Sequence, residues 1–349
     1  MSRILRIGGA CLNQIPMDWD HNLKNIKDVF QEAQLNNIEL LCLPELCITG
    51  YGCEDMFLST WLCETAQAKL IELLPFTSGL TTSLGLPVRF KGEIYNCIAI
   101  IKDKKILGVY AKHNLANDGI HYEKRWFSSW PYHKIETLNI TGQSVQIGAI
   151  SIEIKNIKIG FEICEDAWQE DRPANHLATQ GIELILNPSA SHFAFEKEKY
   201  REQLVVSSSK KFNCTYLYTN LLGNEAGRMI YDGDILIAQN GNLIGHNTRF
   251  SFKPFNILYC EVDFDSQTSS TNIKKDYTGK LEEMSQALPL ALFDYLIKSK
   301  NKGFVLSLSG GADSSTIAIM VRRMVDLAIQ ELGIATVRKR LKLPTTLKN

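Results

Sequence analysis

The chain has 349 residues and a formal net charge of zero, from 38 basic and 38 acidic side chains. This length suits one large α/β domain and part of a second, and the balanced charge offers no basic surface for nucleic acid. No apolar run is long enough to span a membrane and no signal-peptide pattern begins the sequence, so we expect no membrane partner. The nine cysteines are scattered without C-x-x-C pairs, which indicates free thiols, a cytoplasmic location and no structural zinc.

The first predicted elements lead to a carboxylate at the end of a buried strand. A short strand over 4–7 ends at two glycines, and helical periodicity over 19–34 predicts an amphipathic helix. The continuous apolar run 38–43 predicts a strand that is buried on both faces, and Glu45 follows it after one proline. Active sites of α/β sheets collect at the carboxyl ends of strands, so Glu45 is a candidate functional residue. The alternative is a solvated turn residue.

The next strands lead to a lysine. The pattern of apolar residues and tight turns predicts strands over 81–88, 94–101 and 104–110. Lys112 follows the last of them, and the loop after it is rich in aromatic and ionisable residues. Such a loop suits the wall of a pocket better than a solvent-facing turn. A single lysine in this position is more often a surface charge, and this alternative stays open.

A cysteine marks the end of a third strand. Residues 147–154 and 157–163 form a predicted hairpin that leads to Cys164, directly before Glu165 and Asp166. A helix that begins at this point and a nearby cation would favour the thiolate, which is the nucleophilic form of cysteine. An inert thiol in the core is the competing interpretation of Cys164 taken alone.

The other elements of this region alternate between helices and strands. Helices are predicted over 171–180 and 196–211, and strands over 182–186, 215–218, 234–238, 243–245 and 257–262. This order predicts two mostly buried sheets covered by helices. The expected fold is therefore of the α/β class, a four-layer α-β-β-α sandwich.

Three of these residues resemble a known catalytic triad. Glu45, Lys112 and Cys164, each at a strand end and in this order, resemble the Glu-Lys-Cys triad of the nitrilase (carbon–nitrogen hydrolase) superfamily. The stretches PELCITGY and GFEICED around the first and last of them are similar to the glutaminase domain of the glutamine-dependent NAD synthetase family. The resemblance covers roughly residues 1–265, and it implies a nitrilase-like sandwich for a glutaminase domain over this part of the chain.

The resemblance implies a role for each catalytic residue. Cys164 would attack the side-chain amide of glutamine, Glu45 would act as general base, and Lys112 would stabilise the oxyanion. Glu123 is placed like the second glutamate that many nitrilases carry beside the triad, and the resemblance implies a supporting role for it. The alternative for Glu123 is an ion pair with Arg125.

The resemblance also implies which residues contact the substrate. Ser191 and Lys197 match positions that bind the α-amino and α-carboxylate groups of glutamine. A tyrosine commonly lies six residues after the catalytic lysine in the resembled family, and here that position is Asp118. We include Asp118 and Glu165 among the candidate substrate-binding residues.

A separate motif, which is typical of phosphate binding, follows the predicted sandwich. Residues 266–280 are polar and predict a linker, and residues 280–298 predict an amphipathic helix. A predicted strand over 303–308 then leads through SGGADSS into a helix that ends near residue 332. Strand, glycine-rich turn and helix together form a phosphate cradle, because the glycines let backbone N–H groups approach an anion. A simple helix-capping turn is the alternative.

The SGGADSS motif lacks the lysine of a Walker loop and resembles the corresponding loop of N-type ATP pyrophosphatases. That resemblance implies ATP as a substrate, with Mg²⁺ bound by Asp313, whose carboxylate is a hard ligand for a hard cation. The candidate ATP-binding residues are Ser309, Gly310, Gly311, Asp313, Ser314 and Ser315. Residues 281–349 are expected to be the N-terminal part of a Rossmann-like synthetase domain that is truncated in this chain.

Together these resemblances imply glutamine-dependent synthesis of NAD. Ammonia from L-glutamine would amidate deamido-NAD in a reaction that consumes ATP, and nitrilase-like domains imply a homo-oligomer. We expect that the 349-residue chain alone does not make NAD. Two alternatives stay open: a free-standing nitrilase-type amidase with a vestigial C-terminal segment, and a non-catalytic binding module built on the same sandwich.

Overall fold

The computed structural model describes residues 3–140, 142–266, 273–274 and 277–343. The strands are β1 Ile4–Leu12, β2 Leu40–Cys42, β3 Thr81–Phe90, β4 Glu93–Lys102, β5 Lys105–Ala111, β6 Ile135–Ile140, β7 Gln143–Gly148, β8 Ile152–Ile154, β9 Ile157–Phe161, β10 Leu184–Ser189, β11 Thr215–Asn220, β12 Leu222–Asn224, β13 Ile230–Asp232, β14 Ile235–Gln239, β15 Asn242–His246 and β16 Phe255–Asp263. The helices are α1 Trp19–Leu35, α2 Thr60–Leu73, α3 Glu123–Trp126, α4 Pro173–Thr179, α5 Lys197–Lys211, α6 Lys280–Lys298, α7 Ala312–Leu332 and α8 Ile334–Arg340.

Two sheets face each other across an apolar core. Within the described residues, the larger sheet has the order β16-β1-β2-β3-β4-β5-β7-β6, and the smaller has the order β15-β14-β11-β10-β9-β8. Side chains from both sheets, such as Ile7, Ile98, Phe161 and Leu217, form the cluster between them. Helices α1 and α2 cover the outer face of the larger sheet, and α4 and α5 cover that of the smaller. The predicted four-layer α-β-β-α sandwich is confirmed.

The first strand extends further than the sequence indicated. The prediction ended it at the two glycines, but β1 continues to Leu12 and pairs with β16 along its whole length. Gly9 faces the second sheet, where a Cβ atom would lie 2.4 Å from Thr219 Oγ1. The two glycines therefore do not stop the strand, and Gly9 lets the two sheets approach closely.

The predicted hairpin before Cys164 is only partly correct. The expected strand over 147–154 is two strands in different sheets, since β7 ends at Gly148 in the larger sheet and β8 belongs to the smaller. Gly148 has a φ of +129°, and a Cβ atom there would lie 2.1 Å from the carbonyl oxygen of Lys134. This glycine allows the sharp change of direction between the two sheets.

The predicted strand over 303–308 does not form. These residues have no regular secondary structure, and Val305 and Leu308 are exposed. A strand is stable only beside a partner that accepts its hydrogen bonds, and no described strand lies beside this segment. Helix α7 follows as predicted and ends at Leu332, whereas α8 was not predicted.

The C-terminal helices pack against the sandwich. Leu290 and Phe293 of α6 belong to the same apolar cluster as the core between the sheets. Asp294 accepts two hydrogen bonds from Asn13 Nδ2, at 3.1 and 2.9 Å, and Arg249 pairs with Glu283 at 2.7 Å. Part of the predicted linker (267–272 and 275–276) and the segment 344–349 lie outside the described residues. Among the described helices, none is long and apolar enough to cross a bilayer.

Candidate active site

Cys164 lies at a sharp turn between β9 and a short 3₁₀ turn over 164–168. Its φ of +45° is in the left-handed region, which is unusual for a residue with a side chain and is typical of strained functional turns. Asp166 holds this turn, because its Oδ2 accepts the N–H of Ile163 at 2.9 Å. Its Oδ1 accepts the N–H groups of His113 and Asn114 at 3.1 and 2.7 Å. One buried carboxyl group therefore connects the cysteine turn to the end of β5.

Lys112 follows β5 and lies between two carboxylates. Its Nζ donates to Glu45 Oε1 at 2.7 Å and to both carboxylate oxygens of Glu123 at 2.8 Å. All three side chains are completely buried, and we call them the lysine cluster. Asn96 Nδ2 also donates to Glu45 Oε1, at 2.7 Å. The other oxygen of Glu45, Oε2, has no hydrogen-bond partner among the described residues.

The charges of the cluster prepare Glu45 to accept a proton. Burial raises the pKa of Glu45 to about 7, although the opposing charge of Lys112 lowers it. Burial opposes the charge of Lys112, but Glu123 and Glu45 outweigh this effect and hold the pKa of Lys112 well above its usual value. Near neutral pH the cluster thus contains a fixed ammonium group and a carboxylate that titrates, which is the property required of a general base.

Burial favours the protonated form of the Cys164 thiol. Burial, followed by the negative charge of Glu45, raises the pKa of this thiol well above the ordinary range, and Lys112 offsets this only in part. Desolvation therefore outweighs the nearby cation, which by itself would favour the thiolate. The same interactions place the thiol within electrostatic range of Glu45, Lys112 and Glu123. A carboxylate that removes the thiol proton is consequently necessary for nucleophilic attack.

Glu123 belongs to the site rather than to a surface ion pair. Its Oε1 accepts the Tyr51 hydroxyl at 2.8 Å, and its Oε2 accepts the N–H of Ala116 at 3.0 Å. Arg125, the alternative partner, instead forms two hydrogen bonds with Asp55 at 2.6 and 2.7 Å. The ion pair between Glu123 and Arg125 is therefore absent, and Glu123 pairs with Lys112 instead.

The structure describes all four of the predicted substrate-binding residues. The backbone of Ser191 is fixed by the side chain of Asn220 through hydrogen bonds of 2.8 and 2.9 Å. Lys197 is partly buried at the start of α5, and burial lowers its pKa while the charge of Cys164 raises it. Asp118 is exposed on the loop after β5, and Glu165 accepts a hydrogen bond from Gln169. Their roles toward a substrate stay predictions.

Several residues near the thiol were not singled out from the sequence. Tyr51 contacts Glu123, His121 contacts Tyr51 at 3.0 Å, and His192 contacts His121 at 2.9 Å. Both histidines belong to loops whose polar and aromatic content was visible in the sequence. Sequence spacing alone cannot bring together loops 70 residues apart, so only the fold shows that these side chains meet.

The SGGADSS loop lies on the surface and has no contact with the lysine cluster among the described hydrogen bonds. Its bonds are internal: Ser309 Oγ lies 3.2 Å from Ser314 Oγ and accepts the N–H of Gly311 at 3.4 Å. Gly310 has a φ of +81°, and a Cβ atom on it would meet no atom within 4 Å. The loop is thus an open turn before a 21-residue helix, and its role toward phosphate stays a prediction.

The described residues do not form a magnesium site by themselves. Asp313 and the neighbouring Ser315 lie in the first turn of α7, and Asp313 is exposed. Within the described ranges, no group of three or more His, Cys, Asp or Glu side chains is arranged to hold a metal ion. A single carboxylate would supply only one of the oxygen ligands that Mg²⁺ requires.

The sandwich and its buried Glu-Lys-Cys arrangement define the class of protein. The carbon-nitrogen hydrolase family matches residues 7–270, which is most of the chain, and the protein therefore belongs to this family.

The chain is also similar to particular members of the family. A crystal structure of a glutamine-dependent NAD(+) synthetase from Cytophaga hutchinsonii is 47% identical, with a TM-score of 0.90 over 99% of this chain and 56% of that chain. The glutamine-dependent NAD(+) synthetase of Oryza sativa subsp. indica is 32% identical over 95% of this chain and 51% of the relative. A glutamine-dependent NAD+ synthetase from Acinetobacter baumannii, in complex with ADP, shares the fold at 24% identity and a TM-score of 0.79, over 95% of this chain and 58% of that chain. The chain spans about half the length of the curated relatives it matches.

Proposed function

We propose that this chain carries the glutaminase activity of a glutamine-dependent NAD synthetase. The observation that carries the proposal is the buried lysine cluster. Glu45 Oε2 has no hydrogen-bond partner among the residues that the structure describes, and Glu45 lies in electrostatic range of the Cys164 thiol. The similarity to synthetases of this kind over nearly the whole chain supports glutamine as the amide donor.

The first half of the proposed reaction forms a thioester. Glu45 takes the thiol proton, and the sulfur of Cys164 bonds to the side-chain amide carbon of glutamine. Negative charge moves to the amide oxygen, where the ammonium group of Lys112 and a backbone N–H near Cys164 stabilise it. When the tetrahedral species collapses, the C–N bond breaks and the nitrogen leaves as ammonia with the proton that Glu45 returns.

The second half regenerates the enzyme. Glu45 takes a proton from a water molecule, whose oxygen attacks the thioester carbon, and the C–S bond breaks to release glutamate and the thiol. Glutamine and water are thus converted into glutamate and ammonia. Lys112 remains protonated throughout, because Glu123 and Glu45 hold its pKa well above its usual value.

We further propose that the ammonia is used to amidate deamido-NAD. ATP would convert the nicotinate carboxylate into an adenylate with release of pyrophosphate, and ammonia would then displace AMP. The SGGADSS loop would hold the phosphates through the backbone N–H groups at the start of α7. Because Asp313 alone does not form a metal site, we assign no step of this reaction to Mg²⁺.

The proposal also includes the cellular location and the oligomeric state of the protein. All nine cysteines are unpaired, and eight of them are buried, which supports a reducing, cytoplasmic location. A homo-oligomer is proposed from the resemblance to nitrilase-like domains alone. Size-exclusion chromatography with light scattering tests it directly, and a monomeric mass at working concentration would contradict it.

Ammonia release from different amides tests the glutaminase proposal. The purified chain is given L-glutamine or a simple aliphatic amide such as butyramide, and glutamate and ammonia are both measured. We expect a higher kcat/KM for glutamine, with equal amounts of glutamate and ammonia. Preference for the simple amide would favour a free-standing amidase, and no turnover of any amide together with an unreactive Cys164 would favour a binding module.

A second assay addresses the synthetase reaction. The chain is supplied with ATP, deamido-NAD and free ammonium, and NAD is measured by an enzymatic cycling assay. We expect no appreciable NAD from the chain alone, since the SGGADSS loop is exposed to solvent. An appreciable rate of NAD formation would show this expectation to be wrong.

A further inference from the structure

A chain of hydrogen bonds connects Glu123 to His192 through Tyr51 and His121. The Tyr51 hydroxyl lies 2.8 Å from Glu123 Oε1, and His121 Nδ1 lies 3.0 Å from the Tyr51 oxygen. His121 Nε2 lies 2.9 Å from His192 Nδ1. Tyr51 and His121 are buried, and His192 is partly buried. None of these three side chains takes part in the chemistry described above.

The direction of the first hydrogen bond follows from the donors around Glu123. Its two oxygens receive Lys112 Nζ, the Ala116 N–H and the Tyr51 hydroxyl, so a proton on either oxygen would face a donor. Both oxygens of Glu123 are therefore acceptors. The single hydroxyl hydrogen of Tyr51 must lie between the tyrosine oxygen and Glu123 Oε1.

The directions of the next two hydrogen bonds, between Tyr51 and His121 and between His121 and His192, follow from that of the first. Because the Tyr51 hydrogen points to Glu123, His121 must donate its Nδ1–H to the tyrosine oxygen. Burial lowers the pKa of His121, and burial followed by the charge of Lys197 lowers the pKa of His192 to about 4, so both rings are neutral near pH 7. A neutral ring carries one proton, so His121 Nε2 is an acceptor and His192 Nδ1 is its donor.

This arrangement also determines the contact between His192 and Lys197. Lys197 Nζ lies 3.4 Å from His192 Nδ1, which already carries a proton directed at His121. Two donors cannot bond to each other, so the ammonium hydrogens of Lys197 are not used by the ring. They stay available for an anionic group, and the proposed α-carboxylate of glutamine is such a group.

We propose that His121 and His192 are positioning residues of the glutaminase site, both held as the Nδ1–H tautomer. In this state they keep the Tyr51 hydroxyl on Glu123, which fixes Lys112, and they leave Lys197 to bind the substrate carboxylate. The inference rests on the proposed glutaminase function for its catalytic meaning. The tautomers themselves follow from hydrogen-bond geometry and do not depend on it.

The tautomers are measured first, by NMR on protein labelled with ¹⁵N-histidine at pH 7.5. The nitrogen that carries the proton resonates far upfield of the one that does not, and single variants at His121 and His192 assign the two rings. We expect Nδ1–H for both residues. An Nε2–H tautomer at either residue would overturn the proposal, whether or not the protein hydrolyses glutamine.

Matched substitutions at His192 then test the positioning role. Asparagine places an N–H donor where histidine has Nδ1, whereas glutamine places one near Nε2, and both are neutral amides. We expect H192N to keep kcat within about twofold of the wild type and H192Q to lose about tenfold, as is typical when a supporting hydrogen bond is removed. Equal rates of the two variants, both high or both low, would contradict the role of the Nδ1 donor.

His121 provides a second comparison, because both of its nitrogens are used. We expect H121N and H121Q to lower kcat about tenfold each, with thermal unfolding temperatures close to that of the wild type. Full activity of both variants would overturn the proposal. A wild-type protein that hydrolyses no glutamine would refute the proposed function, but the NMR result would still decide whether the hydrogen bonds run as inferred.

Discussion

The lysine cluster and a second buried cluster differ in the number of cations that contact one carboxyl group. The second cluster contains two arginines, Arg201 and Arg249, with the carboxylates of Asp232, Asp234, Glu198 and Glu283 around them. Asp232 Oδ2 lies 2.8 Å from Arg201 Nη1 and 3.4 Å from Arg249 Nη1. In the lysine cluster, by contrast, Glu45 and Glu123 share the single ammonium group of Lys112. We call the group with two arginines the arginine cluster.

This difference gives the two carboxyl groups opposite pKa shifts. Burial disfavours the charge of Asp232, but Arg201 and Arg249 outweigh it and hold the pKa of Asp232 below its usual range. Burial raises the pKa of Glu45 to about 7, because one lysine cannot fully neutralise two carboxylates. Equal burial therefore produces a permanently charged structural group in one place and a proton acceptor in the other.

The largest expected effect is that of Glu45→Gln. The amide keeps the size of the side chain and its carbonyl can still accept from Lys112 and Asn96, but it cannot take the thiol proton. We expect kcat for glutamine hydrolysis to fall about 10³-fold or more, which is the size of a lost general base. Ammonia release measures the rate and thermal unfolding measures stability, which should not fall. Activity within tenfold of the wild type would show that another group is the base.

The matched change in the arginine cluster is Asp232→Asn. It should lower the stability of the protein and leave kcat nearly unchanged. Removing one charge leaves Arg201 with Asp234 as its remaining partner at 2.8 Å, and the loss of the charged contact to Asp232 typically costs about 1.5–3 kcal/mol of unfolding free energy. The folded fraction should keep kcat within about tenfold, because Asp232 has no hydrogen bond to the lysine cluster among the described residues. Urea unfolding measures the stability. If Asp232→Asn lowered kcat as much as Glu45→Gln, the division into catalytic and structural clusters would fail.

The pH dependence of kcat/KM should report the raised pKa of Glu45. Only ionised Glu45 can accept the thiol proton, so kcat/KM should rise about tenfold per pH unit below an apparent pKa near 7 and then level off. The value belongs to the coupled cluster as a whole. Lys112 should produce no decline in the physiological range, since its pKa is held well above its usual value. A profile that is flat between pH 5 and 7 would contradict the assignment of the base.

The smallest expected effect is that of Asn96→Leu. Asn96 donates one hydrogen bond to Glu45 Oε1, which favours the ionised carboxylate. Its loss should move the rising limb of the pH profile upward by less than one unit, or about 1 kcal/mol, with the plateau rate nearly unchanged. A downward shift, or a loss at the plateau equal to that of Glu45→Gln, would refute this role. Asn139→Leu on exposed β6 serves as a surface control.

The positions of Glu45, Lys112 and Cys164 at strand ends were predictable because each residue follows a strand that the sequence makes recognisable. The apolar runs before Glu45, Lys112 and Cys164 form β2, β5 and β9, and the carboxyl ends of these strands meet at one edge of the sandwich. The four-layer fold follows from the same pattern of alternating strands and helices.

Other features depended on distant contacts that no local pattern contains. The positions of Tyr51 and His192 result from the packing of separate loops, and the protonated state of Cys164 results from burial that exceeds the effect of one cation. The strand expected over 303–308 needed a partner strand, which a local apolar run cannot guarantee. Gly148 likewise separates two strands that the sequence joined, because its role is set by the close approach of Lys134.

The most direct test of the central claim is active-site labelling with the diazoketone analogue of glutamine. The protein is treated with the analogue in the presence or absence of excess glutamine, and adducts are located by peptide mass spectrometry. The account predicts a single adduct on Cys164 that glutamine blocks, even if turnover is slow. Label distributed over Cys47, Cys53 and Cys63 without protection by glutamine would contradict the assignment of Cys164 as the nucleophile of a glutaminase.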